Sequence, residues 1–226
     1  MMVLQAEDIR KEYREAGQVV PVLKGVSLTL GRGEIVAMEG PSGSGKTTFL
    51  SILGCLLTPT SGRLWIEGRE VDPGRPDRLW RFRRESIGFI FQQFNLFPSL
   101  TAAENVEYAL NLKGHRGESA RVEAARWLGA VGLADRATFR PRDLSGGQKQ
   151  RVAVARALAG GAPIILADEP TGNLDHRAGE QILDLFRELA GAEERALLIV
   201  THDPKVRRVA DRVVAVLDGR VVAQET

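Results

Sequence analysis

Ile35-Val36-Ala37-Met38-Glu39-Gly40-Pro41-Ser42-Gly43-Ser44-Gly45-Lys46-Thr47-Thr48-Phe49-Leu50 is the stretch that decides the fold. Ile35 to Met38 form a short apolar run, the pattern of a buried strand, and it ends in a Gly-rich turn. Beyond the turn, Phe49, Ile52, Leu53 and Leu56 fall at i, i+3, i+4 and i+7, one apolar helical stripe that stops before Pro59 and Gly62. The turn between them, Gly40 to Thr47, matches G-x-x-x-x-G-K-[ST]. Phosphate binding requires this spacing. Glycines let successive backbone N–H groups turn inward around phosphate oxygens, and the helix N-terminus adds positive potential. Lys46 can reach the β and γ phosphates, and the Thr47 hydroxyl can ligate Mg²⁺. From average residue frequencies, a chance match in a chain this long is on the order of one in a hundred. The turn is therefore read as a nucleotide-binding loop, with Gly40, Ser42, Gly43, Ser44, Gly45, Lys46, Thr47 and Thr48 as its candidate ligands.

Working outward, Val26, Leu28 and Leu30 alternate as in a half-buried strand ahead of this unit, and Arg63 to Glu67 read as another strand behind it. Ile87 to Phe91 is a further apolar burst, and helical periodicity resumes from about Ala102 to Leu133. Strand signals return at Ile164 to Ala167 and Leu197 to Val200, with a helical stripe of Ile182, Leu185, Phe186 and Leu189 between them. Such alternation predicts an α/β fold with a parallel sheet. Val213 to Val222 close the chain as a hairpin turning at Asp218-Gly219. The helical middle, Gln93 to Asp143, lies between two sheet-forming parts and reads as an inserted lobe of a single domain spanning 1–226.

Composition bounds the alternatives. The 226 residues carry 31 Lys and Arg against 29 Asp and Glu, a net charge of +2. With 43% hydrophobic and 27% charged residues, the chain is neither disordered, collagenous nor a coiled coil. No uncharged run approaches the about 20 apolar residues of a membrane span, and MMVLQAEDIRKEYRE has no apolar segment of signal-peptide length. The expectation is a cytoplasmic chain. Cys55 is the lone cysteine, set in SILGCLL, and reads as a buried inert thiol. Arg75, Arg78, Arg81, Arg83 and Arg84 cluster around Trp80 and Phe82, a pattern open to nucleic acid. With a near-neutral chain and no nucleic-acid module, a solvated helix near anionic lipid headgroups is favoured and no nucleic-acid partner is expected.

Two further motifs carry chemistry. Asp168-Glu169 close the apolar strand Ile164 to Ala167, and parallel strands place such C-terminal residues at a ligand crevice. One carboxylate can hold Mg²⁺ while the next orients or deprotonates an attacking water. Ser145-Gly146-Gly147-Gln148 open a helical run, and a free helix N-terminus of this type binds anions. His202 follows the strand Ala196 to Thr201, which is expected beside the strand of Asp168, putting an imidazole near the γ phosphate. His115 and His176 read as surface residues, and no metal-ligand spacing links the three histidines.

With these motifs in this order, the chain resembles the nucleotide-binding subunit of an ABC transporter from about Val3 to Val222. The resemblance implies a P-loop ATPase core with an antiparallel β subdomain and an inserted helical subdomain at about 93–143. It implies ATP and Mg²⁺ as cofactors, and Tyr13 as the aromatic that stacks on adenine. Gln92 matches the Q-loop glutamine of the family, Leu144 to Gln148 the signature sequence, Pro170 to Asp175 the D-loop and His202 the switch histidine. By the same resemblance, Glu169, His202 and Gln92 are catalytic, Thr47, Gln92 and Asp168 face the metal, and two copies dimerise on ATP. In that dimer Ser145 to Gly147 of one copy close the site of the other.

GFIFQQFNLFPSLTAAENV and LADEPTGNLD are similar to the macrolide-export, lipoprotein-release and heterocyst-glycolipid-export ATPases. Some of those exporters fuse ATPase and membrane domain, whereas this chain ends at Thr226, so a separate transmembrane permease is expected, with the ATPase peripheral on the inner face of the membrane. Phe94, Leu96 and Phe97 are expected to line a docking groove for it, while Phe91, ending its strand, enters the core. The alternatives are a soluble ABC ATPase acting on nucleic acid or ribosomes, an importer ATPase, or a regulatory module that binds without hydrolysing. Only 145 − 92 = 53 positions separate Gln92 from Ser145, too few for a coiled-coil arm, and intact Glu169 and His202 argue for hydrolysis.

Overall fold

A computed structural model describes residues 1–15 and 17–225. In chain order it contains β1 (Met2–Glu15), β2 (Gln18–Gly31), β3 (Ile35–Glu39), α1 (Lys46–Leu53), β4 (Ser61–Ile66), β5 (Arg69–Glu70), α2 (Pro76–Glu85) and β6 (Ile87–Ile90). There follow α3 (Ala102–Leu112), α4 (Glu118–Ala130), α5 (Gly146–Leu158), β7 (Ile164–Asp168), α6 (His176–Glu193), β8 (Ala196–Val200), β9 (Arg212–Leu217) and β10 (Arg220–Glu225).

The strands make two sheets. One is antiparallel, in the order β2-β1-β4-β5; the other runs β10-β9-β3-β8-β7-β6, parallel except for β10 at its edge. The central strands of the second sheet are buried on both faces, which is why each reads as an unbroken apolar run. Ile35, Ala37, Ile165, Ala167, Leu197 and Ile199 point into a core shared with α3, α4, α5 and α6. Their neighbours Val36, Met38, Ile164, Leu166, Leu198 and Val200 point into a second core. There α1 and the first sheet cover them through Phe49, Ile52, Leu53, Ile9 and Leu28. Each fully buried Ile or Leu contributes roughly 1.5–3 kcal/mol, so side-chain alternation fixes the register firmly.

Some boundaries differ from the sequence expectation. The helix after the glycine turn ends at Leu53: Gly54 caps it, Cys55 takes a left-handed φ of 54°, and Leu56 falls outside the stripe, 47% exposed. Burial pushes the Cys55 thiol up to about 11, which keeps it protonated. On α6 the core stripe uses Leu183 with Ile182, Phe186 and Leu189, while Leu185 is only half-buried. Helical periodicity between Ala102 and Leu133 resolves into two helices, parted where Gly114 and Gly117 take φ of 101° and 59°. Among the described residues, no helix is long and apolar enough to cross a membrane.

Candidate functional site

The glycine turn emerges from the end of β3 and delivers its last residues into α1. Backbone geometry there excludes side chains. Gly40 has φ 150°, and a Cβ on it would lie 2.0 Å from the Val216 carbonyl oxygen; one on Gly45, φ 98°, would lie 2.8 Å from Leu23. The β9–β10 turn supports the loop from outside, since the Gly219 N–H donates to the Ser44 carbonyl at 3.1 Å. Lys46 is buried and folds over its own loop, donating to the carbonyls of Gly40 and Pro41, both at 2.8 Å, with the Ser44 hydroxyl oxygen at 3.4 Å. Burial pushes the Lys46 ammonium below its usual range, and Glu169 and Asp168 pull it back.

β7 lies beside β8, so Asp168, Glu169 and His202 leave the same end of the sheet as the glycine turn. Asp168 is buried, which raises its carboxyl, as does the neighbouring Glu169, while Thr47 and Lys46 lower it. Glu169 sits at φ 48°, a left-handed backbone costing roughly 1–2 kcal/mol, which aims its carboxylate back across the strand end. One carboxylate oxygen accepts from the Thr201 hydroxyl at 3.0 Å and the His202 N–H at 3.3 Å. The other stands 3.6 Å from His202 Nε2. Thr201 is itself held, accepting from the Asp203 N–H at 2.9 Å, and Thr171 donates to Asp203 at 3.0 Å.

These groups share a cleft of about 410 Å³, lined by Ser42, Gly43, Gly45, Lys46, Thr47, Thr48, Gln92, Asp168, Glu169 and His202, with Val22 and Val200 beside them. Gln92 comes from the turn that follows β6. Gly40 and Ser44 lie behind the lining as partners of Lys46. Tyr13 does not line the cleft: it is half-exposed on the β1–β2 hairpin, with the Lys11 ammonium 5.3 Å from its ring centre. Ser145 to Gln148 are also outside it. Ser145 caps α5 by accepting from the Gln148 N–H at 3.2 Å, and the Gln148 side chain accepts from the Ser145 N–H at 2.9 Å. Gly147 packs instead toward Asn173 and Leu174. Sequence reading passed over Thr201, the hydroxyl that orients Glu169; its only signal is its place immediately before His202.

A second cavity, about 580 Å³, lies between α2, α3 and the strand end of β6. Its walls include Trp80, Phe89, Phe91, Phe97, Tyr108 and Leu112. Phe91 is not a core residue as its strand-end position suggested. β6 stops at Ile90, and the Phe91 ring stacks on Phe89, 4.3 Å between centres, inside this groove. Leu96 packs on the main core and Phe94 is absent from the lining, so of the expected trio Phe97 alone faces the groove.

The sequence profile of the ABC transporter family matches residues 23–172. The chain belongs to the ABC transporter family. It is 46% identical over 223 residues to the uncharacterized ABC transporter ATP-binding protein YvrO of Bacillus subtilis, covering 99% of this chain and 97% of that protein. It is 47% identical over 220 residues to the macrolide export ATP-binding/permease protein MacB of Rhodopseudomonas palustris, where it spans 97% of this chain and 34% of MacB. The fold superimposes on a dimeric post-hydrolysis structure of the ATP-binding cassette MJ0796, bound to ADP and Pi, with a TM-score of 0.94 at 43% identity, over 99% of this chain and 98% of that one. The relative MJ0796 comes from Methanocaldococcus jannaschii. The chain is thus an ABC ATPase cassette.

Proposed function

We propose that this cassette powers export or mechanotransmission through a separate membrane subunit, working as a homodimer that closes on two ATP molecules at the inner face of the membrane. The observation that carries the reading is the single cleft that gathers Lys46, Thr47, Gln92, Asp168, Glu169 and His202 from four separate segments. Support for the export branch comes from the likeness to MacB.

In this scheme the backbone N–H groups of the glycine turn and Lys46 hold the β and γ phosphates. Glu169 accepts a proton from the attacking water, its lone pairs aimed by Thr201 and by the His202 N–H. His202 Nε2, 3.6 Å from the other carboxylate oxygen, contacts the γ phosphate. Tyr13 stacks on adenine from the hairpin beside Val22.

The donors present suit Mg²⁺: a buried carboxylate, Asp168, the Thr47 hydroxyl and the Gln92 amide are all hard oxygen ligands. When bound, the ion neutralises charge developing on the phosphate oxygens.

Ser145 to Gln148 lie outside the chain's own cleft, and by the likeness to the family they complete the site of a second copy. The groove at Phe91 and Phe97 receives a short segment of the membrane subunit, since an apolar patch of this kind needs a cover. The test is the dependence of ATPase rate on protein concentration. A dimeric active species gives a rate that rises as the square of cassette concentration at low occupancy, and a strictly linear rise from nanomolar concentrations upward would refute it.

A further inference from the structure

Gln92 reaches the cleft from a turn whose shape is unusual. Phe94 and Asn95, consecutive residues with side chains, both take left-handed φ, 59° and 49°, and no glycine relieves them. Left-handed backbone at a bulky aromatic persists only where the surroundings hold it. The turn is closed internally by the Asn95 N–H donating to the Gln93 carbonyl at 2.6 Å and the Phe94 N–H to the Phe91 carbonyl at 3.2 Å. Its outward carbonyls are held by one side chain. Arg156, in the last turns of α5, donates through Nη2 to the Phe94 carbonyl at 2.8 Å and through Nη1 to that of Asn95.

The other end of the loop is fixed separately. Asn105 of α3, fully buried, accepts from the Phe97 N–H at 2.8 Å and donates to the carbonyls of Phe97, Leu100 and Thr101. Residues beyond Phe97 therefore belong to the helical layer whatever Arg156 does. Burial lowers the Arg156 guanidinium to about 10, and no acidic group is among the causes acting on it, so it stays charged at neutral pH with backbone carbonyls as its partners. A fork donor is suited to gripping two carbonyls at once; a lysine offers a single point charge.

We propose that Arg156 is a positioning residue for Gln92: by fixing the Phe94–Asn95 turn to α5, it makes the reach of Gln92 into the nucleotide cleft depend on where α5 stands. α5 is the helix that Ser145 opens, so the helix whose N-terminus is to meet the second copy's nucleotide also holds the glutamine of this chain's own site. The inference rests on the proposed role of Gln92. Misplacement of a reacting group by about 1 Å can cost on the order of a hundredfold, so loss of the grip is expected to act on turnover more than on nucleotide affinity.

The test is a cycle on the full chain, comparing wild type, Gln92→Ala, Arg156→Ala and the double variant by steady-state ATPase and nucleotide titration. Arg156→Ala is expected to lower kcat about tenfold or more while KM for ATP stays within about twofold. The double variant should be no slower than Gln92→Ala. Methylguanidinium, entering from the groove that Arg156 borders, should raise kcat of Arg156→Ala and leave wild type unchanged. Arg156→Lys should fall between. Multiplying losses in the double variant, or a loss carried by KM and thermal stability with kcat intact and no response to methylguanidinium, would overturn the proposal. Wild-type turnover in Gln92→Ala alone would instead remove the role of Gln92, a failure visible without any change at Arg156. Should Arg156→Ala not fold, the same cycle with Arg156→Lys decides.

Discussion

Two helices of this cassette begin beside glycines, and they begin differently. α1 starts at Gly45, which has a left-handed φ of 98° and no side chain to cap the first turn. Its free N–H groups open into a cleft already furnished with Lys46, Asp168 and Glu169. α5 starts at Ser145, whose hydroxyl and the Gln148 side chain cap each other's backbone, and these residues lie outside the cleft that α1 faces. On the proposed reading, the first terminus is an anion site that needs only its ligand. On the same reading the second, with its Ser145 and Gln148 N–H groups capped, is completed by a surface that another molecule supplies.

The largest effect expected from breaking this contrast is at Glu169. In Glu169→Gln the amide keeps size and the contacts with Thr201 and His202 but cannot accept a proton, so turnover should fall on the order of a hundredfold to ten-thousandfold with ATP binding retained. The variant should elute from size exclusion as an ATP-bound dimer where wild type is largely monomeric. Turnover near wild type would remove Glu169 from its role.

Lys46→Ala strikes the self-sufficient terminus. Losing the ammonium from a partly dry site should weaken ATP by on the order of a hundredfold, measured by calorimetry on a protein whose circular dichroism is unchanged. Unaltered affinity would refute the phosphate role of the loop.

Phe97→Asp leaves both termini in place and charges the groove. Phe97 is 43% exposed, so the isolated chain should keep its fold and its basal ATPase, while a desolvated charge costs several kcal/mol in a docked complex. Co-purification with the membrane subunit should be lost. An undiminished complex defeats the docking role, and an unfolded variant places Phe97 in the core.

Ser145→Ala is the smallest and sharpens the comparison most. Loss of the cap should cost about 1 kcal/mol by thermal unfolding, and ATP affinity of the monomer should not change, because the residue lies outside the chain's own cleft. A fall in monomer affinity would put the second terminus in the same site as the first.

The glycine turn was legible because its chemistry is local. Gly40 and Gly45 are required by backbone conformation and by carbonyls and side chains that crowd any added Cβ, and such requirements leave a spaced pattern. The buried strands were legible for a different reason, since burial of both faces removes polar residues from them. The loop after β6 was read less well. Phe91, Phe94, Leu96 and Phe97 look alike in sequence, yet Phe91 and Phe97 face a groove, Leu96 packs on the core, and the Phe94 carbonyl is held by Arg156 from a helix far along the chain. A left-handed turn without glycine leaves no compositional mark, so neither the turn nor the arginine that supports it could be read in advance.

Local sequence fixes the identity of the parts: an apolar strand, a glycine-rich loop, an acidic strand end and a histidine after a strand, each dictated by neighbours a few positions away. Their assembly comes from packing across the whole fold. Parallel pairing of β3, β8 and β7 brings Lys46, Asp168, Glu169 and His202 to one edge, and a left-handed Glu169 turns its carboxylate toward Thr201. The same assembly leaves Ser145 outside the cleft at that edge. The physical reason is that side-chain periodicity and turn chemistry act over a few residues, whereas the meeting of strand ends is set by which surfaces must be buried together, and that is a property of the whole chain.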